Sequence, residues 1–125
     1  MVKTVILVAC GGACGAVARY CVVSLLSGSG AFPWGTLVAN LIGSFAVGTL
    51  VGSVWDTPWF HDYGRAFLVF GLLGAFTTFS AFSLDAFRLY EAGRVAAAAG
   101  YVAGSVFVSI AALIAGISIA RAVFA

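Results

Sequence analysis

The chain has 125 residues, of which 63% are hydrophobic and only 8% are charged. A water-soluble domain of this size cannot hide so much apolar surface within itself, so the composition excludes an ordinary soluble fold and makes lipid the expected solvent. Six basic against four acidic side chains leave a formal charge of +2, too slight an excess to signal nucleic-acid binding.

A helix needs about 20 apolar residues to cross the hydrocarbon core of a bilayer. Four runs of about that length follow one another between charges or turn residues, at 4–26, 35–55, 66–87 and 95–120. The connections between them are too short to fold into anything of their own. The pattern predicts an all-α integral membrane protein with one four-helix domain over residues 1–125. The first run lacks the short apolar core and small-residue cleavage site of a signal peptide and carries Arg19 in its second half, which predicts a retained helix. No soluble domain or targeting tail is expected beside the four spans. Cys10, Cys14 and Cys21 all fall in this first helix, where lipid offers no oxidising partner. They are expected to be small packing residues rather than metal or redox ligands.

Four spans put both termini and the second connection on one side of the membrane. That side carries Lys3, Arg65 and Arg121; the other carries Arg88 and Arg94, joined by Arg19 if its long side chain snorkels that way. Three positive charges against two or three give the positive-inside rule almost nothing to read. The arithmetic therefore predicts insertion in both orientations, with an antiparallel dimer of oppositely inserted copies as its consequence. Gly11 with Gly15, Gly48 with Gly52 and Gly100 with Gly104 each form a Gly-x-x-x-Gly face on which helix backbones can approach closely. For each pair, packing within one subunit and packing between subunits both remain open. Four short helices do not easily enclose a polar path alone.

Polar side chains inside a span need a protein partner or an aqueous route. In the second run Thr36, Asn40 and Ser44 recur every four residues, which stacks them on one helix face with Asn40 presenting an amide donor. In the fourth run Tyr101, Ser105 and Ser109 repeat that spacing. Such hydroxyls either line a path or back-bond to carbonyls of their own helix. Two matched stripes favour the path.

The third run contains Gly74-Ala75-Phe76-Thr77-Thr78-Phe79-Ser80-Ala81-Phe82-Ser83, where polar and β-branched residues replace good helix formers. Gly74 permits unusual backbone angles and the hydroxyls can satisfy freed backbone groups, so a break near mid-membrane is predicted. Carbonyl oxygens exposed by a break suit a hard monovalent cation when no carboxylate is near. None of Asp56, Asp62, Asp85 and Glu91 is expected at that depth, and Asp85 reads as a helix-end charge. Phe76, Phe79 and Phe82 are three apart, a spacing that serves core packing or, alternatively, presents the positive ring edges to an anion. Arg19 reads either as a snorkelling or carbonyl-paired cation or as an electrostatic lure at a vestibule. His61, beside Asp62, reads as a solvated loop residue with no second ligand at metal-binding spacing.

Several of these residues occur together in a pattern that resembles the Fluc fluoride channels, also called CrcB proteins, found mainly in bacteria. The matching residues are Gly11-Gly12, Gly15 and Arg19-Tyr20 in the first helix, Gly35-Thr36-Leu37, Asn40 and Gly43-Ser44-Phe45 in the second, and Gly71, Gly74, Thr77-Thr78-Phe79-Ser80 and Phe82 in the third. The resemblance implies a dual-topology homodimer in a bacterial plasma or inner membrane, with two antiparallel fluoride pores. It implies a structural sodium ion at the dimer centre, held by main-chain carbonyls of Gly74 and Thr77 from each subunit. It further implies that Asn40 donates to fluoride, that Phe79 and Phe82 line the pores with their ring edges, and that Tyr101, Ser105 and Ser109 continue a polar track. Thr36 and Ser80 look like further members of that track, and Arg19 is similar to a first-helix arginine of the family, with a vestibule or structural role.

The implied mechanism is passive. A pore selects a small, tightly hydrated anion by replacing its water with close donors, and fluoride trapped in the cell after entry as hydrogen fluoride leaves down its gradient. Three rivals are weaker. A proton-coupled drug exporter of the small multidrug-resistance type needs a carboxylate in its first helix, which holds neither Asp nor Glu. A purely structural subunit has no use for two polar stripes. A membrane enzyme finds no nucleophile, acid and base among the embedded residues.

Overall fold

The computed structural model describes residues 1–28, 30 and 32–124. Five helical elements follow in order: α1 (Val2–Leu26), α2 (Trp34–Ser53), α3 (Phe60–Leu73, prolonged by Gly74–Phe76), α4 (Phe79–Glu91) and α5 (Val95–Phe124). No strand occurs among the described residues. Four helical stretches are long and apolar enough to cross a membrane, and the third of them, Phe60–Glu91, comprises α3 and α4 together.

The first, second and fourth spans lie close to where the apolar runs predicted them. The third begins at Phe60 rather than at 66, because its first turn is held by aromatic packing that a hydropathy count does not register. Phe60 is fully buried, with its ring 5.4 Å from that of Trp55, and the Arg65 guanidinium lies 4.8 Å above the Trp55 ring, a favourable cation–π geometry. His61 is therefore an exposed residue of a helix, not of a loop.

Backbone proximity organises the bundle, as expected where lipid removes the hydrophobic drive for helices to associate. α3 is wound in wide π-type turns; the Gly74 amide reaches the carbonyls of both Gly71 and Val69. Its backbone lies directly on α1: a Cβ on Gly11 would run into the Phe67 carbonyl, and one on Gly15 into that of Leu72. On the other side of the bundle, Gly48 and Gly52 seat the Leu113 and Ile117 carbonyls of α5. Two of the three Gly-x-x-x-Gly faces are thus used within the subunit. The third is not, since nothing lies within 4 Å of a Cβ built on Gly100 or Gly104. Cys10, Cys14 and Cys21 are free and exposed on α1, so within the subunit they do not serve the packing role expected of them.

The third span is interrupted at Thr77 (φ −84°, ψ 156°) and Thr78 (φ −153°, ψ 123°), both in extended conformation. Gly74, whose freedom suggested the break, is itself helical (φ −63°, ψ −35°). Room for the interruption comes from α2, where a Cβ on Gly43 would collide with the Thr77 methyl. The only positive-φ glycine among the described residues is Gly93 (φ 75°), in the turn from α4 to α5.

Candidate ion pathway

Thr78 caps α4. Its hydroxyl accepts the Ala81 amide at 3.1 Å, the usual role of a threonine at a helix N-terminus, and lies 3.2 Å from the Ser80 hydroxyl. Asn40, from the facing α2, grips the same residue twice. Its Oδ1 accepts the Thr78 amide at 2.7 Å, and its Nδ2 donates to the Thr78 carbonyl at 3.0 Å. A carboxamide has two N–H groups, so one donor of Asn40 is left over.

Asn40 also lines a cleft of about 380 Å³, together with Ser44, Thr77, Thr78, Phe79, Phe82, Ser105 and Ser109, with aliphatic walls from Val47, Val106, Ile110 and Leu113. No charged side chain lines it. The polar stripes of α2 and α5 therefore face one another, as one of the two readings of their spacing required. The alternative, back-bonding, belongs to other hydroxyls: Thr49, Ser53, Ser83 and Ser118 each donate to the carbonyl four residues earlier. The Ser105 hydroxyl is buried with no partner, a state that costs about 1–3 kcal/mol unless a ligand or water satisfies it.

The break divides the phenylalanine triplet. Phe76 ends α3 and is buried in the core. Phe79 and Phe82 open α4 beside the cleft, with their rings 5.4 Å apart and tilted at 44°. Phe82 in turn meets the Tyr101 ring at 5.4 Å. Phe79 projects from the subunit, 79% exposed, at the lining of a cleft that is not enclosed by the subunit.

Thr36, Tyr101 and Ser80 do not line this cleft. Thr36 is buried and borders a second depression with Ser27, Trp34, Asp85 and Arg88. Tyr101 is 1% exposed, and its hydroxyl lies beside Thr36 and Asp85 without a well-formed hydrogen bond to either. Ser80 is exposed and turned toward Thr78. Arg19 is half-buried near the end of α1. Among the described residues no group of three or more His, Cys, Asp or Glu comes together to hold a metal.

The family model described as CrcB-like protein, Camphor Resistance (CrcB), matches residues 6–117. The chain belongs to the CrcB family. It is 48% identical over 124 residues to a protein of Nitrobacter winogradskyi named fluoride-specific ion channel FluC, covering 95% of this chain and 96% of that one. A protein of the same name from Paracoccus denitrificans is 46% identical and is matched over the whole of both chains. A third, from Agrobacterium fabrum, is 48% identical over 94% of this chain and 96% of its own.

Within this CrcB chain, one residue of the polar set escaped the reading of its sequence. Asp85 was expected as a helix-end charge, yet it sits inside α4, where Thr36 donates to its Oδ2 at 2.7 Å. The usable signal was its place, three residues after Phe82 and therefore on the face of α4 that turns toward α2 and α5.

Proposed function

We propose that the chain is a fluoride-selective channel that exports cytoplasmic fluoride passively and so protects the cell from its toxicity. It is a multi-pass protein of a bacterial membrane and not an enzyme. The observation that carries this reading is the uncharged cleft of hydroxyls, one spare amide N–H and two aromatic rings, in a chain so similar to proteins named as fluoride channels. A fixed cation in the narrowest part would hold fluoride too long. Neutral donors replace its hydration water while leaving it free to move on. Asn40, Ser105 and Ser109 are the donors, and Phe79 and Phe82 offer the positive edges of their rings. Thr36, Ser80 and Tyr101 extend the polar track beyond the cleft, and Arg19 raises the local anion concentration at its mouth.

The working unit is an antiparallel homodimer in the lipid bilayer, built from copies inserted in both orientations. Its support is a cleft that the subunit does not enclose, with the exposed Phe79 in its lining, together with the unoccupied glycine face at Gly100 and Gly104. At the dimer centre a sodium ion is held by the main-chain carbonyls of Gly74 and Thr77 from each copy. The fit is chemical: no described hydrogen bond engages either oxygen, Gly74 is exposed at the subunit surface, and hard oxygen donors suit a hard ion. The ion supplies a fixed positive charge that joins the two broken helices.

Reconstitution into liposomes, with external fluoride followed by an ion-selective electrode, tests the reading. Rapid fluoride release, not shared by chloride and lost in Asn40→Asp, is the expected result. Well-folded dimers that release no fluoride would return the chain to a structural role.

A further inference from the structure

In an unbroken helix the amide of each residue bonds the carbonyl four residues earlier. At the interruption four such bonds are missing, those of the Thr78, Phe79, Ser80 and Ala81 amides, and two of these amides have been taken by side chains. The Thr78 amide, due to the Gly74 carbonyl, goes to Asn40 Oδ1. The Ala81 amide, due to the Thr77 carbonyl, goes to the Thr78 hydroxyl. The Ala75 and Phe76 carbonyls also lose their helical donors, but the two whose donors are held elsewhere by side chains, Gly74 and Thr77, are the two assigned to the cation.

We propose that Asn40 and Thr78 are positioning residues for that cation site: by capturing the Thr78 and Ala81 amides they hold the Gly74 and Thr77 carbonyl oxygens free before any ion arrives. This rests on the sodium reading above and adds a cause to it. The capture is preorganised by packing, because Gly43 leaves the space in which Thr77 sits, and because Asn40 closes its ring of bonds through the Thr78 carbonyl as well. Asn40 consequently belongs to two sites. One N–H and the carbonyl oxygen of its amide fix the break, while the residue also lines the cleft with one N–H to spare. A polar partner one shell away from an ion typically changes its affinity by about 10–100-fold when removed.

The test separates the cation from the anion. Thermal unfolding of the purified dimer is followed while sodium chloride replaces N-methylglucamine chloride at constant ionic strength, and fluoride efflux is measured on the same preparations. The wild-type midpoint is expected to rise with sodium. Thr78→Val, which keeps the shape and removes the acceptor, is expected to raise the sodium concentration for half the effect by about tenfold or more. Thr78→Ser restores the wild-type value, and Asn40→Leu behaves as Thr78→Val. Folded Thr78→Val and Asn40→Leu dimers with the wild-type sodium response overturn the proposal. A wild-type protein that passes fluoride without any response to sodium also overturns it and leaves the channel reading standing; a sodium response without fluoride flux does the reverse. Should neither variant fold, amide exchange in the wild-type protein decides. A Thr78 amide protected without sodium supports capture by Asn40, and one protected only when sodium is present shows that the ion, not the side chains, makes the site.

Discussion

Asn40 stands where the proposed anion path and the broken helix meet, so its substitutions are read at both. In Asn40→Asp an oxygen replaces the whole NH2 group, so the proposed path gains an acceptor and a negative charge and the Thr78 carbonyl loses its donor; fluoride efflux is expected to fall to the background of empty liposomes. Phe79→Ile keeps bulk and removes the ring edge, and the expected outcome is lost efflux from a protein that still elutes as a dimer. Ser105→Ala removes a buried hydroxyl that has no partner in the subunit. Flux should drop while the unfolding midpoint stays level or rises, because deleting an unsatisfied group relieves its desolvation cost. A marked loss of stability would mean that the hydroxyl has a structural partner. The four-residue spacing of Asn40 with Ser44 and of Ser105 with Ser109 was enough to bring these residues to one cleft. The hold of Asn40 on Thr78 was not legible, since it spans 38 positions and depends on how two helices are set against one another. Asp85 was misread for a different reason: its place three residues after Phe82 pointed inward, but its partner Thr36 lies 49 positions away.

At the level of helices, glycine does opposite things on the two sides of α5. Gly48→Ala would drive a methyl group into the Leu113 carbonyl and is expected to lower stability by about 1–3 kcal/mol, the usual cost of overpacking, measured as a fall in the unfolding midpoint in detergent. Gly100→Ala meets nothing in the subunit and gains helix propensity, about 1 kcal/mol. Its unfolding in monomeric form should therefore be unharmed, and any loss should appear only in dimerisation, read by size-exclusion chromatography at decreasing protein concentration. The glycine spacing announced three tight faces without saying which were internal, because a Gly-x-x-x-Gly face does not name its neighbour. The spans themselves were plain from apolar run length. The place of the break was nearly so. The stretch from Gly74 to Ser83 marked the region, and the break falls within it at Thr77 and Thr78, where an extended backbone and a capping hydroxyl rather than the freedom of Gly74 make the interruption.

For the molecule as a whole, three basic residues on one side against two or three on the other make orientation a matter of small differences. Reporter fusions at the C-terminus are expected to register on both sides of the membrane in the same cells. Adding two lysines after Met1 should fix one orientation and abolish fluoride resistance, and co-expression of a copy biased the other way by lysines beside Arg94 should restore it. Resistance that survives a fixed orientation would exclude the antiparallel dimer. On assembly the sequence offers only the charge balance and one glycine face without a partner in the subunit; where Phe79 stands could not be read until the break was placed.

The exposed ring of Phe79 has a meaning for the life of the chain before assembly, if a second copy completes the pore as proposed. On that reading a path walled on one side only conducts nothing, because an ion in it remains exposed to hydrocarbon along its length. Newly inserted copies would then be harmless to the membrane potential and to the cell's other anions, and permeability would arise only at the moment two of them meet. The half-built wall would act as a safety catch, released by the same encounter that completes the dimer.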